Sequence, residues 1–320
     1  MRLARWRDGA GTIGEGVVVG DDVVPFVEGA SLSQVLADGL ASLPGHVDAS
    51  GAGTPLADVT LLAPVVPASI RDFVAFEEHV EGVSAGVEGK SDVPPEWHEA
   101  PTFYFTNPHT VRATGEVIDI PETQRLDFEL ELAVVIGGVA GSTGENIDPE
   151  VAAPHIFGYT VMNDWSARDL QAREMKVRLG PAKGKDFGMT LGPWIVTADE
   201  LDPYLDEDGF LAVRAEVFVN GMLVGEDLVS NMGWPFPELV SYAARNSVVV
   251  PGDVLGSGTV GNGGCLGELW GRGSAIPPLE PGDEVRMVIE GVGEIVNVVG
   301  NRIPGPPIPP ARVRPRRRTR

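Results

Sequence analysis

The chain has 320 residues, 43% of them hydrophobic, with 46 acidic against 24 basic side chains and a single cysteine, Cys265. That length buries a large core in one or two domains, and one cysteine excludes a disulfide framework and fits a reducing, cytoplasmic setting. Arg312, Arg314, Arg316, Arg317, Arg318 and Arg320 form an acid-free tail, so residues 1–311 carry −28, a charge that repels phosphate backbones and argues against a nucleic-acid partner.

Gly and Pro are frequent and aromatic residues few, which suits strands and turns better than long helices. The basic N-terminus has no apolar segment behind it of the kind a secretory signal needs, and no apolar run reaches a membrane span; 132–140 is too short and holds two glycines. Residues 1–60 read as a small α/β module: strands at 2–7, 12–19 and 22–27, then a helix at 31–40 with Ser31 as N-cap and Gly39 near its end. The glycine patterns at 9–14 and 256–261 match a dinucleotide fingerprint but lack the helix that must follow, so they are turn glycines.

A strand is expected at 61–66, then an amphipathic helix at 72–83 with Phe73, Phe76, Val80 and Val83 at helical spacing. Asp72 and His79, seven residues apart, return to nearly the same side after two turns; an N-capping aspartate and a surface histidine explain the pair equally well. Ser84 sits in a Gly-x-Ser-x-Gly pattern that follows a helix where a nucleophile elbow needs a strand, which makes it a loop serine. Residues 84–101 are polar and Pro-rich, a surface loop by composition.

Strands follow around 114–118 and 125–136. In the second, Leu126, Phe128, Leu130 and Leu132 alternate with Asp127, Glu129 and Glu131, the period of a strand with one buried face. Carboxylates at i and i+2 lie about 7 Å apart on one face. Two readings stand at this point: a solvated acidic face, or a divalent-cation site built from hard oxygen ligands. A short helix at 151–155 and a strand at 157–162 lead into Asn163-Asp164-Trp165-Ser166-Ala167-Arg168-Asp169, a strand end, polar turn and helix start of the kind that carries ligands. Beyond it come a strand at 194–196, a hairpin turning at Asn220-Gly221, a helix at 236–246, strands at 253–255, 268–270 and 284–299, and a Pro/Arg-rich tail at 304–320 expected to be disordered.

Four stretches together resemble the fumarylacetoacetate hydrolase family over roughly residues 61–302. They are Arg71-Asp72-Phe73 with His79; Leu126-Asp127-Phe128-Glu129-Leu130-Glu131; Met162 to Asp169 with Gln171 and Gly184-Lys185, Phe187-Gly188; and Gly258-Thr259 before Glu268. The resemblance implies an α+β, β-rich fold, a mixed β-sandwich roll over 61–303 behind the small N-terminal domain, that dimerises. It also implies that Asp72, Glu129, Glu131 and Asp164 ligate one Mg²⁺ or Mn²⁺, with Ca²⁺ as a further option. Lys185 then sits beside the metal, His79 is the general base and Glu268 the acid that orients it. Gln171 and Thr259 match substrate-contacting positions, and Arg168 balances excess carboxylate charge. Where the namesake enzyme grips its diacid with tyrosines, this chain has Val74 and Met175, with Tyr104 as a replacement for one of them.

The implied activity is metal-dependent hydrolysis of a carbon–carbon bond in a small β-diketo acid or acylpyruvate, as in aromatic catabolism, with the enolate charge stabilised at the metal and water activated by His79. The same site could serve a 2-hydroxy-diene-dioate isomerase or a β-keto-acid decarboxylase. A non-catalytic Ca²⁺-binding module and a serine esterase using Ser84 are alternatives of other classes.

Overall fold

The computed structural model describes residues 1–48, 51–88 and 93–313, and their side chains except at 84–88. Those residues form a β-rich α+β architecture of two principal sheets, the class expected from the sequence. The larger sheet begins at the short edge strand Thr54–Pro55, followed by the antiparallel strands Asp22–Pro25, Ile13–Val19 and Arg2–Arg7. It continues through Met189–Thr197, Ile156–Asp164, Leu130–Ile136, Val254–Gly256 and Ile70–Phe73 to Phe103–Thr106. The first strand is hydrogen-bonded into this sheet, with Arg2 opposite Val196, so residues 1–60 share a sheet with the rest of the chain. The second sheet has five strands: Met222–Leu228, Arg214–Val219, Glu284–Ile289, Gly293–Ile303 and Val117–Pro121.

Strand Leu130–Ile136 shows how the core forms. Leu130, Leu132 and Val134 on one face pack in a cluster with Val217, Met287 and Ile295 of the second sheet. Ala133 and Val135 on the other face join a cluster with Leu3, Val17 and Val35 from the N-terminal segment. Alternate side chains thus enter two different cores, and a strand buried on both faces leaves its one acid, Glu131, no solvent.

Several local expectations are corrected. The helix expected at 72–83 is two elements: a fully buried strand, Ile70–Phe73, and a helix, Glu77–Glu88. The strand pairs in parallel with Val254–Gly256 and antiparallel with Phe103–Thr106, setting Asp72 opposite Gly256 and Tyr104; local helical spacing could not register such distant partners. The surface loop expected at 84–101 is helical through 88 and has a 3-10 turn at Pro95–His98. The strand at 61–66 shrinks to Thr60–Leu61, and the one near 114–118 is Val117–Pro121.

Residues 268–270, read as strand, lie in the helix Leu266–Gly271. This helix packs on Glu77–Glu88 so closely at Gly82 that an added Cβ would stand 2.3 Å from Glu268 Cγ. Ser84 lies in a helix, and its side chain is outside the described residues, as is the tail from 314 on. No helix among the described residues is long and apolar enough to cross a membrane.

Candidate metal centre

The acidic strand is broken. Leu126–Asp127 pairs with Ser166–Ala167 in a separate two-stranded ribbon, and Leu130–Ile136 starts only after Phe128 and Glu129. The break divides the three acids that alternation had placed on one face. Glu131 stays on the larger sheet, Glu129 sits in the break with its carbonyl accepting the Asp164 amide at 3.2 Å, Asp164 ends the neighbouring strand Ile156–Asp164, and Asp72 arrives on the parallel strand. One carboxylate oxygen each from Asp72, Glu129 and Asp164 lie within 4.8 Å of one another, all buried. Glu131 is fully buried beside the Asp72 carboxyl, and its Oε2 accepts the Gly258 amide at 3.1 Å.

Charge this dense in a dry interior is costly unless compensated. Lys185 Nζ donates to Glu129 Oε2 and, at 2.6 Å, to Asp164 Oδ2, while the Tyr104 hydroxyl donates to Asp164 Oδ2 at 2.5 Å. Burial raises the Lys185 cost, yet Asp164 and Glu129 outweigh it and hold the ammonium charged. Burial likewise pushes Glu129 up, but Lys185 and then Arg168 bring its pKa well below the usual carboxylate range. Burial and the nearby Asp164 push Asp72 up; burial and Asp72 push Glu131 up.

Asp72 Oδ1, Glu131 Oε1 and Asp164 Oδ1 are buried with no hydrogen-bond partner. Orphaned hard oxygens on Asp72 and Asp164, in the same tight cluster as Glu129, fit a divalent cation of the Mg²⁺ or Mn²⁺ kind. The wall behind them is Gly256, where a Cβ would lie 2.7 Å from Glu131 Oε2 and 2.9 Å from Asp72 Oδ1. Any larger residue would occupy the space of the carboxylates.

His79, on the first turns of its helix, is buried and places Nε2 4.0 Å from Glu129 Oε1. Burial lowers its pKa to about 4, against the opposing pull of Glu129, so the imidazole is neutral at physiological pH. Its Nδ1 faces Cys265 Sγ at 3.7 Å. The expected contact with Glu268 is not formed among the described residues: the Glu268 carboxylate lies 2.8 Å from Arg272, at an angle that makes no hydrogen bond, and burial raises its pKa to about 7.

Arg168 lies 2.8 Å from Glu129 Oε1 and donates to Asp127 Oδ2 at 2.7 Å and to Gln171 Oε1 at 3.1 Å. Thr259 is buried next to Gly258. Met175 is half exposed at the far end of the helix Arg168–Met175. The structure therefore gathers Asp72, Glu129, Glu131, Asp164, Lys185, Tyr104, Arg168, Gln171 and His79, and leaves Glu268 and Met175 to other contacts. Sequence reasoning missed Cys265, which it weighed only as a lone thiol; its place three residues before Glu268 was the available signal.

A model of the fumarylacetoacetate (FAA) hydrolase C-terminal region matches residues 68–300. The chain is 31% identical over 309 residues to a fumarylacetoacetase of Arabidopsis thaliana, covering 79% of this chain and 73% of that one. It is 30% identical to an oxaloacetate tautomerase of Bacillus subtilis, over 77% of this chain and 74% of the relative. Among solved structures, a fumarylacetoacetate hydrolase of Exiguobacterium antarcticum superposes with a TM-score of 0.72 at 28% identity, covering 94% of this chain and all of that one.

Proposed function

The chain belongs to the fumarylacetoacetate hydrolase family, and from that premise we propose that it hydrolyses a carbon–carbon bond in an acylpyruvate or related β-diketo acid. The observation that carries the reading is a neutral, buried His79 at the edge of a cluster of carboxylates with orphaned oxygens. Asp72, Glu129 and Asp164 would hold the cation, with Glu131 as a fourth carboxylate beside them. When bound, a Mg²⁺ or Mn²⁺ ion supplies Lewis-acid polarisation of the substrate's 1,3-dioxygen unit.

His79 Nε2 takes a proton from water as the water oxygen bonds to the acyl carbon. The bond from that carbon to the neighbouring CH₂ then breaks and its electron pair becomes the enolate of the leaving fragment. Protonation of that fragment on carbon by the imidazolium restores neutral His79, and the products are a carboxylic acid and a 2-oxo acid. Lys185, ammonium fixed between Glu129 and Asp164, and Arg168 keep positive charge beside the oxygens that become negative. Gln171, Tyr104 and Thr259 are the proposed substrate contacts, and the assembly is proposed to be a homodimer.

One observation favours a second reading. His79 Nδ1 faces a thiol where a water-activating dyad would place a carboxylate, so proton transfer between carbon and oxygen of a keto–enol substrate, as in a tautomerase or isomerase, makes smaller demands on this imidazole. NMR product analysis separates the two. Acetate and pyruvate formed from acetylpyruvate with Mn²⁺, and not with a chelator, support hydrolysis. Solvent deuterium entering C3 of oxaloacetate while acetylpyruvate stays intact supports the second; neither outcome with metal-loaded protein overturns both.

A further inference from the structure

The acid of the strand pattern that does not join the cluster is fully buried all the same. Asp127 accepts four hydrogen bonds: the Phe128 amide at 2.8 Å, the Leu266 amide at 2.7 Å, the Gly267 amide at 2.8 Å and Arg168 Nε at 2.7 Å. Two of these amides open the helix that Cys265 N-caps, and Cys265 is the group facing His79 Nδ1. The fourth bond leads the other way, because Arg168 also lies against the ligand Glu129. One carboxylate thus joins the segment beside the base to the cation beside the metal ligands.

We propose that Asp127 is a positioning residue for the metal centre, setting how much of the Arg168 charge falls on Glu129 while anchoring the segment that meets His79. A helix-capping role accounts for the amide bonds but not for the bond to Arg168. A guanidinium shared between two carboxylates is half-neutralised by each. Without the charge on Asp127, the whole cation leans on Glu129 and competes with a divalent ion for the same oxygens. The inference rests on the metal-centre reading, and sequence alternation alone would have made Asp127 a ligand.

Asp127→Asn keeps the shape and one acceptor for the helix amides but meets Arg168 without a charge. In Mn²⁺ titration calorimetry of the full chain, its Kd rises about tenfold, the size seen when the partner of a metal ligand is lost. Asp127→Asn/Arg168→Met removes the uncompensated cation too and returns Kd to within about threefold of wild type, by the same electrostatic argument. Arg168→Met alone, which leaves the amide clamp intact, binds Mn²⁺ at least as tightly as wild type.

A purely structural Asp127 would lower the melting temperature and leave the Mn²⁺ affinity of the folded protein unmoved. Unchanged affinity in Asp127→Asn, a double variant weaker than the single one, or weakened binding in Arg168→Met each overturns the proposal. A wild-type chain that takes up no Mn²⁺ overturns the metal-centre reading itself, and the inference with it.

Discussion

Replacing Lys185 by Met tests whether its ammonium and a divalent ion are alternative answers to the same charge. The side chain is 3% exposed, and its Nζ contacts Glu129 Oε2 and lies 2.6 Å from Asp164 Oδ2. At an effective dielectric near 20, opposite unit charges at 2.6 Å attract by about 6 kcal/mol. Desolvation offsets part of this, and deleting one partner of a buried pair costs about 3–5 kcal/mol net, much of the stability of an ordinary domain. Lys185→Met should therefore lose about that amount in guanidinium unfolding followed by circular dichroism in a chelator. With saturating Mn²⁺ the loss should shrink, by about 1.4 kcal/mol for each tenfold tightening of the metal. Turnover should fall in both cases. An equal stability loss with chelator and with Mn²⁺ would refute the idea that lysine and metal neutralise the same carboxylates.

Gly256→Ala drives a methyl to 2.2 Å from Met162 Cε and 2.7 Å from Glu131 Oε2; it should cost about 1–3 kcal/mol and weaken Mn²⁺ binding, both readable by thermal melts and calorimetry. His79→Ala should cut turnover by about 10²–10⁴-fold while Mn²⁺ affinity stays near wild type; undiminished turnover would favour a non-catalytic binding module. Because the His79 pKa is lowered to about 4 from 6.5, the acid limb of kcat/KM set by this base should lie well below pH 6, and a limb at its ordinary value would mean a solvated imidazole. Glu268, raised by burial from 4.5 to about 7, holds its proton more tightly folded than unfolded. Its contribution is full below pH 4.5 and lost as pH rises through 7, so Glu268→Gln should flatten the fall in stability across that window; an unaltered pH–stability slope would count against it.

Much of the centre was legible because its residues sit in dense motifs. Glu129 and Glu131 belong to one alternating run of the sequence, and Asp164 sits at a strand end in an acid-Trp-Ser-Ala-Arg run. What failed was set by partners far along the chain. Phe73, Phe76, Val80 and Val83 happen to keep helical spacing, yet Ile70–Phe73 is held extended by Val254–Gly256 and Phe103–Thr106. Strict alternation grouped Asp127 with the ligands, and only the break at Phe128 and Glu129 turns it toward Ser166 and the 266–267 amides. Residues 268–270 read as strand from three residues, but their conformation begins with a cap at Cys265 and with amides satisfied by Asp127.

The parallel pairing of Ile70–Phe73 with Val254–Gly256 also bears on how the protein is made. As the chain leaves a ribosome, Asp72 emerges long before Gly256, by roughly 10–40 s at ordinary elongation rates. Throughout that interval the strand Ile70–Phe73 lacks its parallel neighbour, although all four acids of the cluster are made once residue 164 has emerged. The strand that carries Asp72 therefore gains its parallel neighbour late, and a product terminated before the 254–256 strand would lack the Gly256 wall behind the carboxylates.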